Sequence, residues 1–157
     1  MNGQLKIITF LIGEQYYGLP LDSVMTVLRA VEITPLPNIS HFMLGIINLH
    51  GKITPVINLR KLIGLETKKI HLSDRLIVTE LYARPVIIVA DSIETVIKYF
   101  PNEITPVDYC ASINSQHVKG VLNKNNHLVF ILNLEKLLSD NDIQWLNALT
   151  EDRSETT

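Results

Sequence analysis

The chain has 157 residues, 46% of them hydrophobic and 19% charged, with a formal net charge of −2. That length and balance describe one ordinary folded domain, or two small units sharing a core, and exclude a disordered chain. The near-neutral charge excludes a global basic field of the kind that holds nucleic acid or anionic lipid.

The first residues, Met1 to Lys6, show no charged stretch leading into a long apolar one, so no secretory signal is expected. Leu5 to Ile12 is rich in Ile, Leu and Phe and reads as a strand, closed by the turn residues Gly13-Glu14. Leu21 to Leu28 suits either a short helix or a strand. Leu44 to Leu49 and Ile53 to Leu59 form a strand pair around His50-Gly51-Lys52. Leu76 to Thr79, Val86 to Ala90 and Leu128 to Leu134 are further strands, and Lys124-Asn125-Asn126 is a second hairpin turn. The apolar runs are far shorter than the roughly 20 residues of a membrane-spanning helix, so no direct membrane insertion is expected. Ser139-Asp140-Asn141-Asp142 reads as a helix start with an acidic first turn. Ile143, Leu146 and Leu149 then fall on one helical face, with Trp145 off that face and partly exposed. Residues 150–157 read as a disordered tail.

The chain also resembles itself. Asp22-Ser23-Val24-Met25-Thr26-Val27-Leu28-Arg29 is similar to Asp91-Ser92-Ile93-Glu94-Thr95-Val96-Ile97-Lys98, and Ile33-Thr34-Pro35 is repeated as Ile104-Thr105-Pro106. Gly45-Ile46-Ile47-Asn48 matches Gly120-Val121-Leu122-Asn123, and Val56-Ile57-Asn58-Leu59 matches Ile131-Leu132-Asn133-Leu134. The blocks keep their order, which implies two copies of one small β unit, approximately residues 7–63 and 76–138, within a domain spanning 5–149. Each copy is too small to bury a full core alone, and the strands have the option of crossing between copies.

Groups with catalytic potential are scattered. His41, His50, His71, His117 and His127 have no metal-ligand spacing with one another or with Cys110. Cys110 and His117 lack a placed orienting acid, and a lone cysteine reads as a small apolar residue that indicates no oxidising compartment. The glycines are spread as turn and bulge residues, not as a phosphate loop. No enzyme activity, cofactor or metal is expected. A β-barrel that binds nucleic acid is a weaker alternative, since Arg60-Lys61 and Lys68-Lys69 are the only adjacent basic pairs and aromatics are 6%.

The series Gly13-x-x-Tyr16-Tyr17-Gly18-Leu19-Pro20-Leu21, Val24-x-x-Val27, Pro35-x-Pro37, Gly45-Ile46-Ile47-Asn48-Leu49-x-Gly51 and Pro55-Val56-Ile57-Asn58-Leu59-Arg60 closely resembles the CheW family of chemotaxis adaptors. Val89-x-Asp91-x-Ile93-x-x-Val96 and Leu134-x-x-Leu137-Leu138 continue it. The resemblance implies a mainly β fold of two five-stranded SH3-like barrels packed side by side, with a short C-terminal helix. It implies a cytoplasmic scaffold, recruited to receptor arrays, that couples the cytoplasmic tip of methyl-accepting chemoreceptors to the regulatory domain of a CheA-type histidine kinase. It places Val24 and Val27 at a partner edge, Gly51 near a receptor groove between the barrels, Arg60 at a position linked to receptor coupling, and Asp91 as a loop support. Two residues depart from the family pattern: His50 stands where an arginine is common and Asn58 where an aspartate is common. If those two charges pair or face a partner, both are lost here. That leaves room for a scaffold of a different pathway, such as one controlling pili or twitching.

Overall fold

The computed structural model describes residues 3–106 and 118–155, without the side chains from 149 onward. Cys110 and His117 lie outside the described residues. The first hairpin pairs β1 (Leu5–Ile12) with β2 (Gln15–Pro20). The ambiguous segment at 21–28 resolves into one 3-10 turn, Leu21–Ser23, followed by strand β3 (Val24–Arg29). β4 (Met43–Leu49) and β5 (Lys52–Ile57) meet at His50-Gly51, with φ of 52° and 86°. β10 (Val118–Lys124) and β11 (His127–Leu132) meet at Asn125-Asn126, with φ of 52° and 64°. Two consecutive positive φ values define the two-residue turn whose twist matches its strands. β6 (Arg75–Leu81) and β7 (Arg84–Ala90) use the same geometry at Tyr82-Ala83, with φ of 52° and 62° and neither Gly nor Asn to announce it. β8 (Ser92–Tyr99) and the short β9 (Ile104–Pro106) complete the strands.

Two strands stop earlier than their apolar runs suggest. Leu59 opens the one-turn helix α1 (Leu59–Leu62), and Leu134 opens α2 (Leu134–Leu137). In the first, buried Asn58 accepts a hydrogen bond from the Lys61 N–H at 3.3 Å, which turns the chain out of the sheet.

The described strands form two sheets. One has the order β8-β1-β2-β11-β10-β9, the other β3-β6-β7-β5-β4. Units 7–63 and 76–138 therefore do not correspond to the sheets. Each gives its opening hairpin, β1–β2 or β6–β7, to the other's sheet. The junctions are equivalent in both sheets: β2 runs parallel to β11, and β7 runs parallel to β5. The sixth strand, β9, has as its counterpart the single bridge Thr34↔Ile46.

This exchange explains why the central strands are continuously apolar. In β1, Ile7 packs into the core of its own sheet, while Ile8 packs into a larger core between the sheets. Val56 and Ile57, Ile87 and Ile88, and Ile131 and Leu132 divide in the same way. Strands buried on both faces lose the polar alternation of a half-solvated sheet. The C-terminal helix α3 (Asp140–Glu155) closes over the shared core with Leu146, and Trp145 sits half-buried, edge-on to Phe42 at 6.1 Å. Its start is a reciprocal capping box: Asp142 N–H donates to Ser139 Oγ at 3.1 Å and Ser139 N–H donates to Asp142 Oδ2 at 3.0 Å. The helix runs to Glu155, beyond the point where the sequence suggests a tail.

The repeated Ile-Thr-Pro and glycine blocks explain each other. A Cβ on Gly45 would collide with the Thr34 carbonyl oxygen, and one on Gly120 with the Ile104 methyl group. Each glycine lets the Ile-Thr-Pro segment cross close over its strand. Gly45→Ala should therefore destabilise the fold by about 2 kcal/mol in urea unfolding, because overpacking against backbone has no cheap relief. Ala83→Gly should do the opposite, by about 1 kcal/mol, since it relieves a left-handed residue in the Tyr82-Ala83 turn.

β9 is tied down by charge. Glu103 accepts from Lys124 Nζ at 2.6 Å and from the Phe100 N–H at 2.6 Å. The Lys124 hydrogen bond, then the Phe100 one, hold its carboxyl below the ordinary glutamate value. A lowered carboxylate pKa adds stability above the ordinary range, and that stability is lost as pH falls through the lowered value. Stability measured from pH 7 down to pH 3 should thus fall less steeply in Glu103→Gln.

Candidate functional site

Three places in the fold hold the residues singled out by sequence. The first is edge strand β3. Val24 is partly buried against the shared core, and Leu28 leans on the core of its own sheet. Val27 pairs with buried Ile77 and is 36% exposed. Its counterpart on the other sheet, Val96 on β8, pairs with buried Ile8 and is 45% exposed. Directly opposite residues share a sheet face. Each sheet thus carries its inner apolar face past the shared core to an open edge. Both edge strands also carry a register shift at the same point, passing Met25 in β3 and Glu94 in β8.

The second place is the β4–β5 hairpin tip. His50 is exposed, and the Gly51 N–H donates to Asn48 Oδ1 at 2.8 Å. The third lies at the far end of β5, about 20 Å away at strand rise, and holds Asn58 and Arg60. His50 and Asn58 therefore do not face each other. Asn58 is buried and satisfied: it caps α1 and donates through Nδ2 to Thr67 Oγ1 at 2.9 Å. An aspartate there would bury a charge, so the amide suits this site.

Arg60 is not the solvated end-of-strand charge that sequence allows. Its side chain is 20% exposed, and Nη2 donates to both Asp91 oxygens, at 2.9 and 2.8 Å. Asp91 Oδ2 also accepts the Gly13 N–H at 2.7 Å, and the Asp91 N–H donates to the Leu11 carbonyl at 2.8 Å. Asp91 stands between β7 of one sheet and β8 of the other, Gly13 in the β1–β2 turn, and Arg60 just after β5. The cluster is therefore a polar latch at the point where the chain passes between sheets. Charge-assisted bonds of this kind are the stronger ones.

Lys68 and Asp74 extend the latch, and sequence reading missed their role. Lys68 Nζ lies 3.7 Å from Asp91 Oδ1 and 3.2 Å from Asp74. Asp74 is 1% exposed and accepts the His71 N–H at 2.7 Å, which shapes the loop before β6. The Lys68-Lys69 pair was the available signal, but its partners are set by the fold. At the position equivalent to Gly13, Tyr82 Oη donates to the Glu135 carbonyl oxygen at 3.2 Å. Glu135, the repeat equivalent of Arg60, is exposed. Among the described residues the latch is built once, on one side of a duplicated fold.

Comparison with known proteins fits this architecture. The CheW-like domain family matches residues 6–142. The chemotaxis protein CheW of Helicobacter pylori is 28% identical over 134 residues, covering 85% of this chain and 81% of that protein. Protein FrzA of Myxococcus xanthus is 28% identical over 131 residues, covering 82% of each. The crystal structure of the scaffolding protein TtCheW from Thermoanaerobacter tengcongensis superposes with a TM-score of 0.79 at 32% identity, covering 88% of this chain and 94% of that one. With a family match over nearly its whole folded length and a solved relative of the same two-sheet architecture, the chain belongs to the CheW-like domain family.

Proposed function

We propose that this protein is a non-catalytic adaptor that couples the cytoplasmic tip of methyl-accepting chemoreceptors to the regulatory domain of a CheA-type histidine kinase. The observation that carries the reading is family membership across residues 6–142, joined to a surface suited to it: two equivalent edge strands, each with an exposed apolar residue, Val27 and Val96. Exposed apolar positions on an unpaired strand favour a protein partner. An adaptor of this kind acts through binding free energy and geometry alone, by favouring one state of the kinase it holds. In this reading Val24 and Val27 belong to the kinase edge, and Arg60, Asp91 and Gly51 to the receptor side. The protein then works in the cytoplasm beneath receptor arrays. No described helix is long and apolar enough to cross a membrane.

A second reading, a scaffold of a different chemosensory pathway such as one driving pili, rests on His50. It is exposed at the hairpin tip, where the family commonly offers a fixed cation. A partner matched to an arginine fork there would meet a smaller imidazole with fewer donors in a different geometry, and would bind this chain less well.

Titration against the kinase regulatory domain and a receptor tip fragment from the same organism tests the first reading. Binding should be micromolar, as for reversible signalling contacts. Val27→Asp should weaken kinase binding about tenfold or more, since a charge would be desolvated at the contact. Arg60→Ala should leave kinase binding within about twofold and weaken the receptor fragment. A folded sample that binds neither partner at hundreds of micromolar would sink the assignment.

Stability measurements on the same variants separate folding from binding. Arg60→Ala should cost about 1 kcal/mol, because Asp91 keeps Gly13 and Lys68 as partners. Asp91→Ala should cost more, about 2–3 kcal/mol, because it strands both the Arg60 cation and the Gly13 N–H. The reverse order in urea titrations would show that the latch is held by something other than Asp91.

A further inference from the structure

Beside Arg60 the fold leaves a cavity of about 640 Å³. That lies within the range of about 300–1,000 Å³ typical of sites for small organic ligands. Leu44, Ile70 and Val89 form an apolar floor, continuous with the core of the β3–β7 sheet. The cavity is lined by this one sheet and its loops, and it reaches the shared core at Ile57 and Leu59.

The charges around the cavity are unequal in commitment. Arg60 is engaged by Asp91, and Lys68 by Asp74 and Asp91. Glu32 and Lys69 also line the cavity, are exposed, and form no ion pair among the described residues. They come from different segments: Glu32 from the stretch after β3 and Lys69 from the loop between α1 and β6. A largely apolar cavity that also presents one uncommitted carboxylate and one uncommitted ammonium is complementary to an apolar body that carries one charge of each sign. A simple fatty acid satisfies Lys69 but leaves Glu32 beside apolar chain. A single aliphatic amino acid carries both charges but leaves most of the space empty.

We propose that this cavity binds a short apolar peptide with free termini, its ammonium toward Glu32, its carboxylate toward Lys69 and its side chains on the Leu44–Val89 floor. The site adds a small-molecule input to the protein, separate from the edge strands. Because Arg60 lines the same space, an occupied cavity abuts the latch that joins the two sheets.

The experiment uses the full chain and the tripeptide Leu-Ala-Leu in four forms: free, N-acetylated, C-amidated and doubly capped. Calorimetry or amide chemical shifts report affinity. The free peptide should bind saturably. N-acetylation should weaken it about fivefold in the wild type and not in Glu32→Gln, and C-amidation about fivefold in the wild type and not in Lys69→Gln. Both substitutions are at exposed positions and leave the core intact. Val89→Trp should fill the floor and abolish saturation; if it does not fold, the two charge variants still carry the test. Absence of saturable binding by the folded wild type, equal affinity for all four forms, or a capping effect that survives in the matching charge variant would each overturn the proposal.

Discussion

The shared core between the two sheets is the constraint from which the rest follows. It exists because each half of the chain lends its first hairpin to the other half's sheet. A small β unit cannot bury enough surface alone. Here neighbouring residues on one strand serve two cores at once, Ile7 one sheet's interior and Ile8 the seam, Val56 the other interior and Ile57 the seam. The sheets cannot part without exposing Phe10, Phe42, Ile77 and Ile88 together, all fully buried. Cooperative unfolding as one unit is the physical consequence, despite the internal repetition.

An exchanged pair needs its crossing points fixed. On one side this is done with charge, Asp91 accepting from Gly13 and Arg60 while sitting on the linker between sheets. On the other, a tyrosine hydroxyl reaches the Glu135 carbonyl oxygen from a turn held in a left-handed conformation. The apolar scaffold stays near-symmetric while the polar fittings diverge. Packing constrains both copies alike, whereas surface charge at a crossing point is free to specialise.

Much of this was legible in the sequence, for identifiable reasons. The duplication showed because close crossings demand glycine under Ile-Thr-Pro twice over, and the hairpins at 50–51 and 125–126 carry residues that tolerate positive φ. The Ser139 helix start was visible from its capping residues. The hairpin exchange was not decided, because β3 and β8 are so alike that local pattern cannot tell which of them β1 joins. The Tyr82-Ala83 turn was hidden, since tertiary contacts impose it against local preference. The Arg60–Asp91 pair was named residue by residue but not as a pair, because 31 positions and a sheet boundary separate its members. Asn58 looked like a lost surface charge and is a buried cap.

These placements bear on how the two sheets are held to each other. The apolar edges at Val27 and Val96 lie on rigid sheets, and the packed seam between those sheets resists continuous deformation. Beside that seam the sheets are also joined by polar contacts at the point where the chain passes between them. Arg60, Asp91 and Lys68 form that junction, with three charges within 4 Å contacts and partial access to solvent. Through Asp91, Arg60 ties the end of β5 in one sheet to the β1–β2 turn of the other. The chemistry that distinguishes the two halves is thus concentrated where the chain passes from one sheet to the other.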